Sequence, residues 1–277
     1  MRKMIVMVLI SLLFLSAGAQ INNPRHRYEL RGVIETGAIG VEVHHIKFGR
    51  EGTSFDYVKN GSQNILFPFE RYSLELHLMP RHTFIGLYQP LDLRTAATLT
   101  DTLVLDTDTF LPGTPMNLRY GFDFYRVSWL YDLWALAERE LAIGLSLQLR
   151  NASIVFATAD GERQRVYQNL GPVPIVKARL KLPLNNWLWF GSEIDGFYAQ
   201  GAGVTGSTNV ENSFKGAILD GSVRLGARVN NFLDGFVNLR YIGGGAEGTQ
   251  KKPQNPGDGY TSNWLSTLSF SLGITMH

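Results

Sequence analysis

The chain has 277 residues, no cysteine, and a formal charge of +2 from 26 basic and 24 acidic residues. Without cysteine there are no disulfides, no thiolate metal site and no lipoprotein acylation. Both surplus charges, Arg2 and Lys3, fall in a segment from Met1 to Ala19 that has no acidic residue, so the rest is formally neutral and nucleic acid is not an expected partner.

That first segment reads as a signal peptide. Arg2 and Lys3 precede an apolar run, Ile5 to Leu15, broken only by Ser11, and Ala17-Gly18-Ala19 supplies small residues for cleavage after Ala19. The run is short for a spanning helix, and none downstream is long enough. Residues 20–277 are expected to form one exported domain.

Four short breaks then divide the chain: Met79-Pro80-Arg81-His82, Ala135 to Glu138, Asn185-Asn186 and Asn230-Asn231. Long stretches of alternating polar and apolar residues flank each break, with longer polar loops between them. This predicts an all-β, antiparallel up-and-down transmembrane β-barrel of about 10 strands, within a range of 8–12.

In chain order, the first predicted strand is Tyr28 to Phe48, with a phase change near Gly37 to Gly40 that suggests a bulge. The second, Phe69 to Leu78, puts Tyr72, Leu74, Leu76 and Leu78 on one face and Ser73, Glu75 and His77 on the other. The third runs from Phe84 to Leu93, where Pro90 costs a ladder bond and hints at a bulge. The fourth, Met116 to Leu133, sets Leu118, Tyr120, Phe122 and Phe124 against Arg119 and Asp123. Its phase then shifts to put Val127, Trp129 and Tyr131 out and Arg126 and Ser128 in. The fifth alternates from Leu141 to Arg150 and the sixth from Val176 to Leu182. The seventh starts at Leu188, the eighth spans Leu219 to Arg228, the ninth starts at Leu233 and the tenth covers Trp264 to Thr275. Outer loops are expected at Gly49 to Asn64, Ala159 to Arg163, Gly201 to Ser213 and Glu247 to Gly259, with both termini on the periplasmic side.

Charged residues on these strands cannot face lipid, where an Arg or Lys near the midplane costs roughly 2–4 kcal/mol. They are assigned to the lumen: Glu75, Asp123, Arg126, Arg150, Lys177, Arg179, Lys181, Glu193, Asp195, Asp220, Arg224, Arg228 and Arg240, together with Arg119, Gln148 and Asn238. Lys177, Arg179 and Lys181 should lie beside Glu193 and Asp195 on the next strand, where opposite charges attract. A barrel of this size is only slightly wider than one its own side chains fill, so the expected lumen is charged and largely filled, the alternative being a narrow path for a small solute.

Histidine is the place to look for a general base. His77 shares a face with Ser73 and Glu75, but neighbours on one face of a strand stand roughly 7 Å apart, and polar filler is the expected role. His44 and His45 sit near the outer end, better placed for hydrolysis of lipid or peptide, without a Ser or Asp partner identifiable by spacing. Asp101, Asp106 and Asp108 match no calcium-loop pattern and are read as a solvated edge. No helix is predicted after Gly243-Gly244-Gly245 to make a phosphate loop, and no cofactor is expected. Trp129, Tyr131, Trp134, Trp187 and Trp189 at one end, and Phe197, Tyr198, Tyr241, Tyr260 and Trp264 at the other, are expected to form two aromatic girdles.

The stretches Met79 to Leu93 (MPRHTFIGLYQPLDL), Tyr120 to Leu133 (YGFDFYRVSWLYDL) and Gly171 to Pro183 (GPVPIVKARLKLP) resemble blocks of an uncharacterised Gram-negative outer-membrane β-barrel family. The resemblance implies outer-membrane location and a barrel fold, and no activity. The expected partners are outer-membrane lipid and lipopolysaccharide and the barrel-assembly machinery, with Phe270 standing for the terminal aromatic signal; Lys251-Lys252-Pro253 is read as a solvated basic tip, contact with lipopolysaccharide phosphates being the alternative.

Overall fold

The structure is a computed structural model that describes residues 28–78, 80–136, 138–205, 210–249 and 257–277. The expected signal segment and the Lys251-Lys252-Pro253 loop lie outside the described residues, and for Arg150 only the backbone is described.

Period-two alternation, which overrides the helix propensity of the many Leu, Ala, Arg and Glu residues, gives strands throughout. They are β1 (Tyr28–Phe48), β2 (Phe55–Asp56), β3 (Leu66–Leu78), β4 (His82–Gln89), β5 (Asp92–Thr98), β6 (Leu103–Leu105), β7 (Asp108–Phe110), β8 (Pro115–Asp132), β9 (Glu140–Thr158), β10 (Gln164–Pro183), β11 (Leu188–Thr205), β12 (Val210–Asn230), β13 (Leu233–Thr249) and β14 (Tyr260–Met276). Each long strand pairs antiparallel with the next, β4 and β5 together pair with β8, and β1 returns to β14, closing a barrel of ten staves. Closure removes the sheet edges that would otherwise need covering, save where β10 and β11 part above Val176 and Gly196. No described helix is long and apolar enough to cross a membrane.

At one end the connections are tight, and side chains make them so. Asn185 accepts backbone N–H bonds from Trp187 (2.9 Å) and Leu188 (2.8 Å), and Asn230 accepts one from Phe232 (2.8 Å). Asp132 holds the N–H groups of Trp134, Ala135 and Leu141. A short acceptor side chain bonding the backbone two or three residues on is the local device that favours a turn over continued strand.

Outside the short-turn half, the wall exposes Ile143, Leu145, Leu147 and Leu149 on β9, Leu219, Val223 and Leu225 on β12, and Leu268, Phe270, Leu272 and Ile274 on β14. An apolar belt of this extent is what a bilayer covers. Tyr72, Tyr88 and Tyr125, opposite one another on β3, β4 and β8, form a stacked row along its upper edge. Trp189 is not part of the lower girdle: it points inward, packs against Phe236, and takes the space that a Cβ on Gly226 would need, 2.2 Å from its indole. Phe197 likewise lies on the inward face of β11, the face of Glu193 and Asp195, leaving Tyr198 outside.

Above the tyrosine row the two faces exchange character. Met116, Leu118, Tyr120, Phe122 and Phe124 have the parity of Arg126 and Ser128, and all point inward. There is no phase shift in β8, contrary to the alternation of its apolar residues read as lipid-facing throughout. The bulge of β1 falls between Val41 and Val43 rather than at the glycines. At Pro90 no residue is inserted: Gln89 opposes Phe124 and Asp92 opposes Gly121, one continuous register. The expected loop Gly201 to Ser213 is largely strand, paired as far as Thr205 with Val210.

The segment after β1 folds back into the long-loop mouth. β2 pairs with His45 and Ile46 of β1, and Phe55 and Tyr57 are buried beside Ile46, Phe48, Phe156 and Met116. The β6–β7 hairpin adds Leu103, Leu105 and Phe110 to this core. Asp106 is not at a solvated edge: its carboxylate accepts from the Tyr167 hydroxyl at 3.0 Å and lies 3.5 Å from Arg165.

One pair of staves is joined over less of its length. β10 and β11 pair only from Pro183 with Trp189 to Val176 with Gly196. Beyond that β10 stays with β9 to Gln164, and β11 with β12 to Thr205.

Candidate functional site: the lumen

The short-turn half of the lumen is filled by ion pairs. Glu35, on the inward face of β1, is fully enclosed. It accepts from Arg71 (2.6 Å), Arg224 (3.0 Å), the Asn238 amide (2.7 Å) and the Ser271 hydroxyl (3.1 Å). Glu193 meets Lys177 at 2.7 Å and Arg224 at 2.9 Å. Asp195 lies 3.0 Å from Lys177 and 3.2 Å from Arg126, and Arg126 reaches Asp220 at 3.0 Å. Arg240 closes on Asp220, and Gln148 accepts from Arg126. Arg179 bridges the lumen from Glu140 (2.8 Å) to Glu75 (2.9 Å). Among the described side chains, Arg71, Arg126, Lys177, Arg179, Arg224 and Arg240 are matched by Glu35, Glu75, Glu140, Glu193, Asp195 and Asp220. Matching is required, because a buried charge stripped of its partner costs several kcal/mol.

The sequence-predicted residues fall into three groups. Glu75, Arg126, Lys177, Arg179, Glu193, Asp195, Asp220, Arg224 and Arg240 meet in this cluster. Lys181 and Arg228 lie lower, at the short-turn mouth, where Lys181 is 3.9 Å from Asp234 and Arg228 is exposed. Asp123 is a correction. It opposes Asn151 on the outward face of β8, above the belt, because β8 keeps one phase. Arg119 shares that face and pairs with Asp92 at 2.8 Å. Glu35 and Arg71, central to the cluster, were not singled out from sequence. Their signal was present: Glu35 opposes Arg71 in the β1–β3 register, two residues from Ser73 and four from Glu75 along one strand face.

Above this cluster sits the apolar core, and His44 lies within it. His44 Nδ1 is 2.7 Å from the Gln63 amide oxygen, and its ring stacks on Tyr57 (4.3 Å) and meets the edge of Tyr120 (4.4 Å). Burial pushes its pKa down to about 4, so at neutral pH it is uncharged and sealed from substrate. His45, the next residue, points outward, 3.9 Å from Asp56. A base that folding holds neutral destabilises the fold as soon as the unfolded chain can take the proton. Stability linked to His44 is therefore complete above its unfolded pKa near 6.5 and is lost as pH falls from there toward 4, by about 3 kcal/mol at most. Urea titrations at pH 7.5 and 4.5 should show this loss in the wild type and a smaller loss in His44→Phe.

His77 is closer to its neighbours than strand spacing suggests, since long side chains lean along the strand. Its Nε2 is 3.2 Å from Glu75, and the Thr83 hydroxyl is 3.1 Å from its Nδ1. The order hydroxyl, imidazole, carboxylate is that of a hydrolase relay. Here, however, Glu75 is already engaged by Arg179, and Thr83 is 4% exposed. His77 and Thr83 line a cup of about 530 Å³ at the short-turn mouth, whose wall also includes Arg31, Lys181, Asp234 and His277.

No protein-family model matches the chain, and no curated protein matches it. Among solved structures it is similar to the outer-membrane protease OmpT from Escherichia coli, at 10% identity over 89% of this chain and 96% of that one, with a TM-score of 0.50. It also matches the transport unit of the autotransporter AIDA-I from Escherichia coli (10% identity, 96% of each chain, TM-score 0.42). A third match is the toluene transporter TodX from Pseudomonas putida (10% identity, 96% and 92% of the chains, TM-score 0.29). The class that closed topology, outer belt and polar lumen define is the ten-stranded antiparallel barrel of the outer-membrane type. Identity at this level speaks for the fold and leaves activity to the site itself.

Proposed function

We propose that this chain is an integral outer-membrane barrel that carries no solute along its axis and serves as a structural, loop-presenting element of the envelope, free of enzymatic activity. One observation carries the reading: two unlike fillings are stacked in series, a matched ion cluster below and an apolar core above. A solute would have to unmake both. The belt with its tyrosine row supports residence in the outer membrane, with the tight turns on the periplasmic side and the fold-back segment outside.

Purified protein added to planar bilayers should give no steps of conductance, and steady unitary currents from the wild type would overturn the reading. In cell fractions, the band should stay in the membrane after carbonate and migrate differently on gels with and without heating.

A hydrolase is the second reading, favoured by the Thr83–His77–Glu75 chain and by the activity named for the similar Escherichia coli protease. Under the structural reading, His77→Ala changes no peptidase or lipid A turnover by the membranes and lowers barrel stability by about 1–3 kcal/mol, the cost of leaving buried partners unpaired.

A further inference from the structure

The joint between β10 and β11 opens for a chemical reason. The backbone N–H of Leu184 bonds the carbonyl of Leu188 across the turn. Backbone groups of alternate residues point to opposite neighbours in an antiparallel ladder. The even-numbered residues of β10 therefore aim their N–H and C=O groups at β11, and the even-numbered residues of β11 aim theirs at β10. Continuing the register that pairs Val176 with Gly196 would set Pro174 opposite Tyr198 and Pro172 opposite Gln200. Both prolines occupy donor positions on this edge and have no N–H to give. Each pair would form half of its bonds, and the ladder stops where the prolines begin.

The gap starts inside the apolar belt. Pro174 and Pro172 lie level with Leu147 and Leu149 of β9, both exposed to the outside. A groove of about 1020 Å³ runs beneath it, lined by Val127, Trp129, Leu145, Leu147, Val176 and Tyr198 among others. At its upper end the Tyr198 hydroxyl donates to the Gln200 side-chain oxygen at 2.8 Å. The order from below is thus apolar groove, open backbone edge and polar pair. Behind the gap, Val173, Ile175 and Phe197 take the inward parity of their strands. Peptide groups of an open edge at this depth need polar partners, since hydrocarbon offers none.

We infer that this proline-held slot is a lateral binding site for one acyl chain of an outer-leaflet lipid, the chain lying in the groove and entering between β10 and β11, and the head group meeting the edge amides of Tyr198 and Gln200. The inference rests on the membrane placement proposed above. A β-strand from a second copy is the competing occupant; it would find donors and acceptors on β11 but no donor at Pro172 or Pro174 on β10, so it could bridge the gap fully on one side only.

The test uses diazirine-labelled palmitate with the whole protein in detergent, read by peptide mapping. Label should appear saturably on the inward residues Val173, Ile175 and Phe197. It should fall at least tenfold in Pro172→Val/Pro174→Val, which restores both donors. The chain has no cysteine of its own, so an oxidised Val173→Cys/Ala199→Cys pair gives a second, reversible closure, with labelling expected to return on reduction. Label confined to outward residues such as Leu145, labelling indifferent to both closures, or a dimer cross-linked through this edge would each overturn the slot. Carbonate extraction and heat-dependent mobility are measured on the same preparations. Loss of those properties removes the membrane placement and the slot together, whereas their retention with unchanged labelling removes the slot alone.

Discussion

Glu35→Leu is expected to destabilise the barrel by about 3–5 kcal/mol, the usual cost of breaking a buried ion cluster by removing one partner. Glu35 is 1% exposed, and it is the shared acceptor for Arg71, Arg224, Asn238 and Ser271. Leucine satisfies none of the four. Two guanidinium groups then face each other inside the lumen with Glu193 as their remaining common partner. Glu35→Gln should cost less, since the amide oxygen still accepts while the charge is lost. Urea midpoints of protein folded in micelles would measure both. A loss under 1 kcal/mol for the leucine variant would mean that water reaches the cluster and that the lumen is not closed there.

The second large effect is expected at the other filling. Phe156→Ala should cost about 3–5 kcal/mol, as deletion of a fully buried aromatic ring does. The ring is 0% exposed and packs edge-on against Phe48 and Phe55, at 6.5 and 5.5 Å, with Tyr57 at 5.6 Å. All three partners belong to the fold-back segment or its root. The variant should therefore loosen the stretch between β1 and β3 first, so that protease cuts between Gly49 and Asn64 while the staves resist. Equal resistance of that stretch in variant and wild type would show that the core does not hold it in place.

The strand repeat, the tight turns and the pairing order were legible in the sequence, because each follows from alternation and from Asn or Pro at breaks. The inward positions of Lys177, Arg179, Glu193 and Asp195 could be read for the same reason. Asp123 could not, and the cause is physical. Alternation tells which residues share a face but not which side that face takes. Reading apolar as outside holds only where lipid touches the wall; beyond the belt water is outside and the apolar set turns in, as Leu118 and Tyr120 do. Glu35 was obscured by the bulge at Val41, which hides the phase of β1. The fold-back segment and the proline seam depend on what long loops and unpaired edges meet in space, which no local pattern records.

That exchange of faces along β8 has a mechanical consequence. The barrel is an object with a waterline. Shifting it outward through the bilayer would draw Arg119 and Asp123 no nearer to lipid but would lift Leu147 and Leu268 into water; shifting it inward would submerge those charges. Both displacements raise the free energy, so the wall fixes its own depth of immersion, and the fold-back plug, the ion cluster and the seam are each held at a set height in the envelope.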